Sequence, residues 1–497
     1  MVNVMLAHEY LRAKKMGDPG SGVLLAFFDG GFRFDHDVYR YAVNNGLILS
    51  RYDFVDNSYS VSDPSVTPAS YSGYDNHGTQ TLSLVAGYDS GEFMGIGWGA
   101  DFAAARTEDH KVETRVEEDN WAAAVVWADS IGADIISSSL GYRYDFDDGP
   151  DYRYEDMDGG TAIVSRAAAG AVKRGMIVVN SMGNEGNSIL GTLSAPADVD
   201  GVISVGAVNQ SRYLANFSSA GPTFDGRVKP DLCAPGVSVK VPDVYLANRG
   251  SYGYTTNSGT SFSAPIVAGI CALILQANRE KGIGINAGGV KEKLYASCSF
   301  AHGQSGVDNR YGRGIPDALL AVMDDDEVFI KITDKAGNGL CGAQITGQSA
   351  SFTTNESGAA VAKFSHAQLP FNLRVLFRGE EVGSINVNSL PFVQSLSLDI
   401  KWDEGLKVFP TLIKRNNTLK GRYLFYPQQN SPTAAAVAVL SLSGKTLWNQ
   451  KLQVRPDGSA EFFWNCKING RRAAPGVYFL TLRHNGKTIN RKFVIAG

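Results

Sequence analysis

The hydrophobic pattern divides the chain into two parts. Up to about residue 325, short continuous apolar runs alternate with stretches whose apolar residues recur at helical spacing. The runs at 23–28, 176–179 and 202–208 have the length and composition of strands buried on both faces of a parallel sheet. The stretches at 117–131 and 161–173 predict crossover helices. The pattern predicts an α/β domain with a doubly wound, mostly parallel sheet and helices on both faces.

Beyond this domain the apolar residues alternate with a period of two. The alternation is broken by Gly-Asn-Gly at 337–339 and Glu-Ser-Gly at 356–358, which is typical of a small β-sandwich. A second module of the same kind runs from about residue 402 to the end of the sequence. We therefore predict three domains, at 1–326, 327–401 and 402–497.

Four polar residues lie where a predicted strand ends or a predicted helix begins. Asp29 follows the first buried strand, His77 precedes a helix-like run, Asn184 lies in a glycine-rich loop after another strand, and Ser261 precedes a long apolar run. Each has a simpler interpretation, because Asp and Asn form turns, a lone His is most often structural, and Ser is a preferred helix cap. Together, however, they fit one kind of chemistry.

A serine nucleophile needs a general base, the base needs an acid to hold its tautomer, and the oxyanion needs hydrogen-bond donors. Ser261 would lie at a helix start, with Pro265 in the first turn, where backbone N–H groups favour negative charge. The order Asp29, His77, Ser261 is one of three chain orders known for such triads. Three competitors for the acid or the base follow on a less constrained segment, at Asp35, His36 and Asp37.

Composition narrows the function without defining it. The formal net charge of -4 and the isoelectric point near 6.0 give no electrostatic reason to expect a nucleic-acid partner. No apolar run approaches the roughly 18 residues of a membrane span, so we expect no transmembrane segment. Residues 1–22 lack the apolar core of a signal peptide. Either the protein stays inside the cell or the numbering begins after a removed leader, and the motifs below favour the second.

The motifs around the four polar residues resemble those of the subtilases, the subtilisin-like serine peptidases. The resemblance spans about residues 20–325 and is carried by five stretches, namely DGG at Asp29, HGTQTLSLVAG at His77, SSSLG at 137–141, NSMGNEG around Asn184 and GTSFSAPIVAG at 259–269. It implies a serine endopeptidase that acts on polypeptides.

The resemblance also implies a role for each matching residue. Ser261 would be the nucleophile, His77 the general base and then the acid, and Asp29 the group that orients the imidazole. Asn184 would form the oxyanion hole with the Ser261 backbone N–H. The backbone of the segment Ser139, Leu140 and Gly141 would bind an extended peptide.

The sequence departs from the family at several positions, namely Gly30 in place of a Ser or Thr, Gln80 in place of a second His, and Phe262 and Ile266 in place of Met and His. None of these removes a triad member. The resemblance implies no cofactor for catalysis; structural calcium is common in the family, but no ligand set is assigned here. The alternative is a catalytically silent subtilase scaffold that binds surface partners. A sedolisin-type acid peptidase would instead need a Glu/Asp pair on a helix, and His77 in HGT argues against it.

The two carboxyl-terminal modules carry weaker resemblances. The first is similar to carboxypeptidase-regulatory-like or bacterial immunoglobulin-like modules. The last 90 or so residues resemble the sorting domain of type IX secretion, through Ser443-Gly-Lys, Trp448 and Pro475-Gly-Val-Tyr-Phe, although the expected proline pair is reduced to Phe409-Pro410-Thr411. This resemblance implies contact with the secretion machinery, export to the cell surface or medium, and removal of the segment. An accessory β-sandwich that packs or binds is the alternative.

Overall fold

The computed structural model describes residues 1–62, 74–109, 111–243, 253–377 and 380–398, and then shorter segments at 405–409, 412–413, 419–424, 434–441, 443–453, 459–464, 467–468, 471–474, 476–484 and 487–495. Pro410, Thr411 and Pro475, which the sorting-domain resemblance uses, lie outside these residues. The contacts divide the chain into two compact units, Met1–Asp324 and Asp325–Gly497. The boundaries of the three predicted domains stay a prediction.

The first unit is built on a seven-stranded parallel sheet. The strands of the whole unit, inside and outside this sheet, are β1 Leu24–Asp29, β2 Ile48–Asp53, β3 Tyr88–Asp89, β4 Phe93–Met94, β5 Asp101–Arg106, β6 Ile135–Ser138, β7 Ile177–Ser181, β8 Ile203–Val208, β9 Leu232–Pro235, β10 Val239–Asp243 and β11 Gly253–Asn257. The order in the sheet is β2-β5-β1-β6-β7-β8-β9, and every neighbouring pair is parallel. β3 with β4 and β10 with β11 form separate antiparallel pairs.

The helices of this unit are α1 Val4–Ala13, α2 Arg40–Asn44, α3 Tyr74–Ala86, α4 Arg115–Ser130, α5 Ile163–Lys173, α6 Thr260–Glu280, α7 Ala287–Ala296 and α8 Ala318–Val322, with 3-10 turns at Asp37–Tyr39 and Tyr154–Asp156. Side chains of α4 and α5 pack with β1, β5, β6 and β7 in one apolar core. α3 packs on α6, and α6 packs on β6 to β9. The predicted α/β fold with a doubly wound sheet is confirmed.

The winding of the sheet explains where a site can form. The chain adds strands first on one side of β1 and, from β6 onward, on the other side. The carboxyl ends of β1 and β6 therefore lie at the point where the winding reverses, which is where open α/β sheets bind ligands. Asp29 is the last residue of β1, and Ser139 directly follows β6.

Helix α6 is buried along almost its whole length. Every residue from Thr260 to Asn278 is buried. In the part of the chain that the structure describes, α6 is the one helix long and apolar enough to cross a bilayer, and its apolar window is 100% buried within the protein. α6 begins at Thr260, so Pro265 lies inside the helix, and its predicted place in the first turn is wrong.

The described residues of the second unit form β-strands, as predicted. Its strands are β12 Glu327–Asp334, β13 Gln344–Gly347, β14 Ala350–Thr353, β15 Ala359–Lys363, β16 Phe371–Phe377, β17 Glu380–Val387, β18 Phe392–Leu398, β19 Gly405–Phe409, β20 Leu412–Ile413, β21 Leu419–Leu424, β22 Ala434–Leu440, β23 Thr446–Gln453, β24 Ser459–Trp464, β25 Lys467–Ile468, β26 Arg471–Arg472, β27 Gly476–His484 and β28 Lys487–Ile495. A 3-10 turn covers His366–Gln368.

These strands form two sets of sheets, each with its own apolar core. The first set consists of β15-β12-β18 and β14-β13-β16-β17, which enclose residues such as Ile330 and Val375. The second consists of β19-β21-β24, β20-β28-β27-β22-β23 and the pair β25-β26, around a core that includes Trp464 and Phe493. In β16, for example, buried and exposed residues alternate, because one face of the strand packs on the core and the other does not.

Candidate active site

A carboxylate and an imidazole form a hydrogen-bonded pair at the end of β1. The Asp29 side chain is only 2% exposed, and its Oδ1 lies 2.8 Å from Nδ1 of His77 on α3. The backbone N–H of Gly30 donates to the same oxygen, at 2.8 Å. Because an ionised carboxylate only accepts hydrogen bonds, Nδ1 must carry the proton. In the neutral ring this leaves Nε2 as a base.

The environment of His77 favours its charged form. Burial by itself would lower the pKa of His77, but the negative charge of Asp29 and the hydrogen bond to it outweigh burial and raise the pKa. The His77 side chain is still 31% exposed, so a substrate can reach the ring. This is the arrangement expected of a base that must hold a proton briefly during a reaction.

The close approach of α3 to β1 depends on glycine. A Cβ on Gly78 would lie 2.2 Å from the carbonyl oxygen of Gly31 and 2.9 Å from Cβ of Asp29. One turn after His77, the hydroxyl of Thr81 donates to Oδ2 of Asp29 at 3.0 Å. Thr81 was not among the site residues predicted from the sequence. Its signal was the spacing of four residues from His77, which places both side chains on one face of the helix.

The sequence competitors at the end of β1 have other partners. Asp35 pairs with Arg33 at 2.7 Å, and Asp37 pairs with Arg40. The His36 ring accepts a hydrogen bond from the Val38 N–H at 3.0 Å and caps the following 3-10 turn. The structure therefore brings Asp29, and none of these acids, to His77.

The predicted nucleophile is the second residue of α6, and it bonds reciprocally with the end of β6. The Ser139 hydroxyl donates to the Ser261 carbonyl at 2.7 Å, while the Ser261 hydroxyl donates to the Ser139 carbonyl at 3.2 Å. A helical carbonyl normally accepts the N–H four residues later, but Pro265 occupies that position and has no N–H. The Ser139 hydroxyl supplies the missing donor and anchors the helix start to the sheet.

The start of the Ser261 helix approaches His77 through the neighbouring residue Phe262. The ring of Phe262, next to Ser261, has its centroid 5.9 Å from that of the His77 ring. Among the hydrogen bonds of the described residues, the Ser261 hydroxyl is paired with Ser139 rather than with His77. Catalytic hydrogen bonds are often long or misaligned before substrate binds.

Thr260, the residue before the predicted nucleophile, holds the Asn184 side chain in a defined orientation. Asn184 lies in the loop after β7 and is exposed. The backbone N–H and the hydroxyl of Thr260 both donate to its Oδ1, at 3.0 and 3.1 Å. Because these two donors hold the oxygen, the amide NH₂ is directed away from Thr260. A donor fixed in this way is suited to a developing oxyanion.

The predicted peptide-binding segment follows β6 directly. Ser139 is buried, Leu140 is half-buried and Gly141 is exposed. The Leu140 carbonyl points into the protein, where it accepts hydrogen bonds from Asn180 at 2.9 Å and Ser181 at 3.4 Å. Among the described residues, this carbonyl is thus engaged by the fold, and the exposed Gly141 backbone is the more accessible part of the segment.

A cavity of about 560 Å³ opens beside the Asp29–His77 pair, and one of its walls is acidic. The lining includes Leu140 and a group of charged residues from the loop after β5, the start of α4 and a later loop, namely Glu108, Asp109, Lys111, Glu113, Glu117 and Asp147. Burial, followed by nearby carboxylates, raises the pKa of Glu113 to about 7. Burial also raises the pKa of Glu117 to about 7, although two backbone N–H groups oppose it. This acidic wall was not predicted from the sequence.

No metal ligand set is assigned. In the described ranges, no group of three or more His, Cys, Asp or Glu side chains could hold a metal ion. The structural calcium that the family resemblance implies stays an expectation.

Comparison with known proteins adds independent information. A family model described as the subtilase family matches residues 20–314. A thermophilic serine proteinase of Bacillus sp. (strain AK1) is 30% identical over 261 residues, covering 52% of this chain and 53% of the proteinase. Subtilisin E of Bacillus subtilis (strain 168) is 30% identical over 334 residues, covering 64% of this chain and 74% of subtilisin E.

A solved structure gives the same result for the fold. The CspB protease of Clostridium perfringens aligns with a TM-score of 0.52 at 16% identity, covering 65% of this chain and 97% of that one. At this identity the likeness concerns the fold alone. The chain spans about half the length of the thermophilic proteinase. Because the family model covers more than half of the sequence, the chain belongs to the subtilase family.

Proposed function

We propose that the chain is a secreted serine endopeptidase that hydrolyses peptide bonds through an acyl-enzyme, with Asp29, His77 and Ser261 as its triad. The observation that carries the proposal is the buried Asp29–His77 hydrogen bond at the sheet edge where the Ser261 helix begins. This pair leaves Nε2 of His77 as a base on the accessible side of the ring. Family membership supports the same assignment.

The first half of the reaction forms the acyl-enzyme. The Ser261 hydroxyl turns from the Ser139 carbonyl to Nε2 of His77, and its oxygen attacks the peptide carbonyl while its proton moves to Nε2. Asp29 stabilises the resulting imidazolium. The oxyanion receives hydrogen bonds from the Asn184 amide and the Ser261 N–H. His77 then gives its proton to the leaving amine, the C–N bond breaks, and an ester to Ser261 remains.

The second half uses water in place of the amine. His77 accepts a proton from the water, whose oxygen attacks the ester carbonyl. The same donors stabilise the second oxyanion, and the proton returns to Ser261 as the acid product leaves. The site thus ends in its starting state, and no cofactor enters any of these steps.

Substrates are proposed to be polypeptides bound in extended form along Ser139, Leu140 and Gly141, as an added strand. Export is proposed through the carboxyl-terminal module at 402–497, on its resemblance to type IX sorting domains. In a host with that secretion system, the full chain is expected in the medium or on the cell surface, shortened at its carboxyl end. A chain ended at residue 401 is expected to stay inside, and equal export of both would contradict the sorting role.

A fluorophosphonate probe tests the catalytic proposal, because it phosphonylates an activated serine, whose oxygen bonds to phosphorus as fluoride leaves. The wild-type chain is expected to gain the mass of one probe less HF, and Ser261→Ala to gain none. Ser263→Ala is the matched control, since Ser263 is also buried on α6 but donates to the Ala234 carbonyl at 3.0 Å. It should label normally. Absence of Ser261-dependent labelling would favour the silent scaffold, in which the Ser261 hydroxyl stays on Ser139.

A further inference from the structure

The two oxygens of the buried Asp29 carboxylate are held by different groups. Oδ1 accepts hydrogen bonds from His77 and from the Gly30 backbone N–H, both at 2.8 Å. Oδ2 accepts, as far as the described residues go, only from the hydroxyl of Thr81, at 3.0 Å. The residue next to Asp29 is a glycine, so it offers no hydroxyl of its own. The Thr81 bond is therefore the contact that satisfies the second oxygen.

Thr81 has a second acceptor within reach, and the two can be compared. Its hydroxyl lies 3.2 Å from the Gly78 carbonyl, the usual back-bond of a threonine in a helix, and 3.0 Å from Asp29. A hydroxyl has one proton to donate, and a charged acceptor forms roughly twice as strong a bond as a neutral one. We therefore assign the proton to Asp29.

The geometry of α3 makes this contact part of the catalytic pair. His77 and Thr81 are one helical turn apart and face the same carboxylate. Through these two side chains, α3 forms a hydrogen bond with each oxygen of Asp29. Thr81 is 1% exposed, and the close packing of Gly78 on Asp29 holds the helix at this distance. Bulk water cannot replace the hydroxyl there.

We propose that Thr81 is a positioning residue of the active site. Its hydroxyl fixes the rotation of the Asp29 carboxylate, which keeps Oδ1 on the Nδ1 proton of His77 and keeps Nε2 aimed at the nucleophile. The inference rests on the proposed peptidase function, because it assigns Thr81 a part in that same site.

Three variants separate positioning from stability. Thr81→Val is nearly isosteric and removes the hydroxyl, and Thr81→Ser keeps it. Ser83→Ala is the matched control, because Ser83 is a fully buried hydroxyl on the same helix that donates only to the Gln80 carbonyl, at 2.7 Å. All three are assayed on a chromogenic peptide, with active sites counted by fluorophosphonate titration.

Thr81→Val is expected to lower kcat per titrated site by about tenfold or more with little change in KM, since a hydrogen bond to a charged group is lost. Thr81→Ser should stay within about threefold of the wild type, and Ser83→Ala within about twofold, by the same reasoning. A merely structural role would lower the number of active sites or the Tm, but not kcat per site. An unchanged kcat per site in Thr81→Val would overturn the proposal.

Proton NMR gives a readout that does not require peptidase activity. In ¹⁵N-histidine-labelled protein, the Nδ1–H signal of His77 is expected far downfield, and Thr81→Val should move it upfield while Ser83→Ala should not. An unmoved signal also overturns the proposal. If the fluorophosphonate does not label the wild-type chain, the proposed peptidase function is wrong. The NMR measurement still tests whether Thr81 positions the Asp29–His77 pair. If Thr81→Val does not fold, Thr81→Ala replaces it in both experiments.

Discussion

Replacing Asn184 can distinguish the chemistry of the oxyanion donor from the support that the same side chain gives to α6. Its Oδ1 accepts both hydrogen bonds from Thr260, and its NH₂ is directed away as the proposed donor. Asn184→Asp keeps an oxygen for Thr260 and removes the NH₂. Asn184→Leu removes both functions. The two variants should therefore differ in stability and agree in their loss of activity.

The structure sets the size of each effect. In Asn184→Leu, the Thr260 hydroxyl can turn to the Gly183 carbonyl, 3.1 Å away, but the buried Thr260 N–H loses its partner. An orphaned buried donor costs about 1–3 kcal/mol of unfolding free energy. Loss of one oxyanion donor costs about 10²–10³ in kcat, with KM little changed, because the donor acts mainly in the transition state. Asn184→Asp should lose at least as much kcat, since it adds a negative charge beside the oxyanion.

The assay combines urea unfolding with kcat and KM on a chromogenic peptide, normalised by active-site titration. Thr260→Val serves as the comparison, because it removes one hydrogen bond to Oδ1 and leaves the NH₂ in place. We expect it to lower kcat far less than Asn184→Asp. The reasoning is refuted if Asn184→Asp keeps kcat within about threefold of the wild type, or if its defect lies in KM alone.

Further predictions concern charge and stability. Because Asp29 raises the pKa of His77 and the base must be neutral, kcat/KM should fall as pH drops through a midpoint above the ordinary value near 6.5; a midpoint below it would contradict this. The pKa of the Glu113 carboxyl is raised to about 7 in the folded protein. The contribution of this group to the unfolding free energy is therefore fully present below the usual pKa of a glutamate and is lost as pH rises through about 7. Glu113→Gln should therefore stabilise the protein more at pH 8 than at pH 5 in urea unfolding, and it should lower kcat/KM for cationic peptides more than for neutral ones. The buried Lys229–Asp231 pair, 2.8 Å apart, predicts that Lys229→Met lowers the unfolding free energy by about 3 kcal/mol, because the buried Asp231 carboxylate loses its nearest cation; an unchanged unfolding free energy would argue against the pair.

Strands of the first unit that large apolar residues bury on both faces could be predicted from the sequence, whereas an edge strand and an alanine-rich strand could not. The apolar runs at 176–179 and 202–208 correspond closely to β7 and β8, because both faces of these strands are covered. β2 was missed because it is an edge strand whose residues alternate between exposed and half-buried. β5 was missed because its sequence, DFAAAR, fills the core with alanines, which carry little strand preference.

The site was predictable where it rests on residue types and not where it rests on packing. The Asp29–His77 contact follows from motifs at the ends of local elements. The Ser139–Ser261 pair joins residues 122 apart in the chain, and it is what allows Pro265 to lie inside α6. Thr81 follows His77 by four residues in the sequence, but only the packing of α3 on β1 shows that its hydroxyl donates to Asp29.

The burial of α6 has a consequence for the lifetime of the molecule. Since every residue from Thr260 to Asn278 is buried, the amides of this helix can exchange with deuterium only when the whole unit opens. A peptidase in solution is surrounded by copies of itself, and an opened unit is a substrate for them. We therefore expect the helix that carries the proposed nucleophile also to limit autolysis, so that a substitution that loosens it would shorten the survival of the protein.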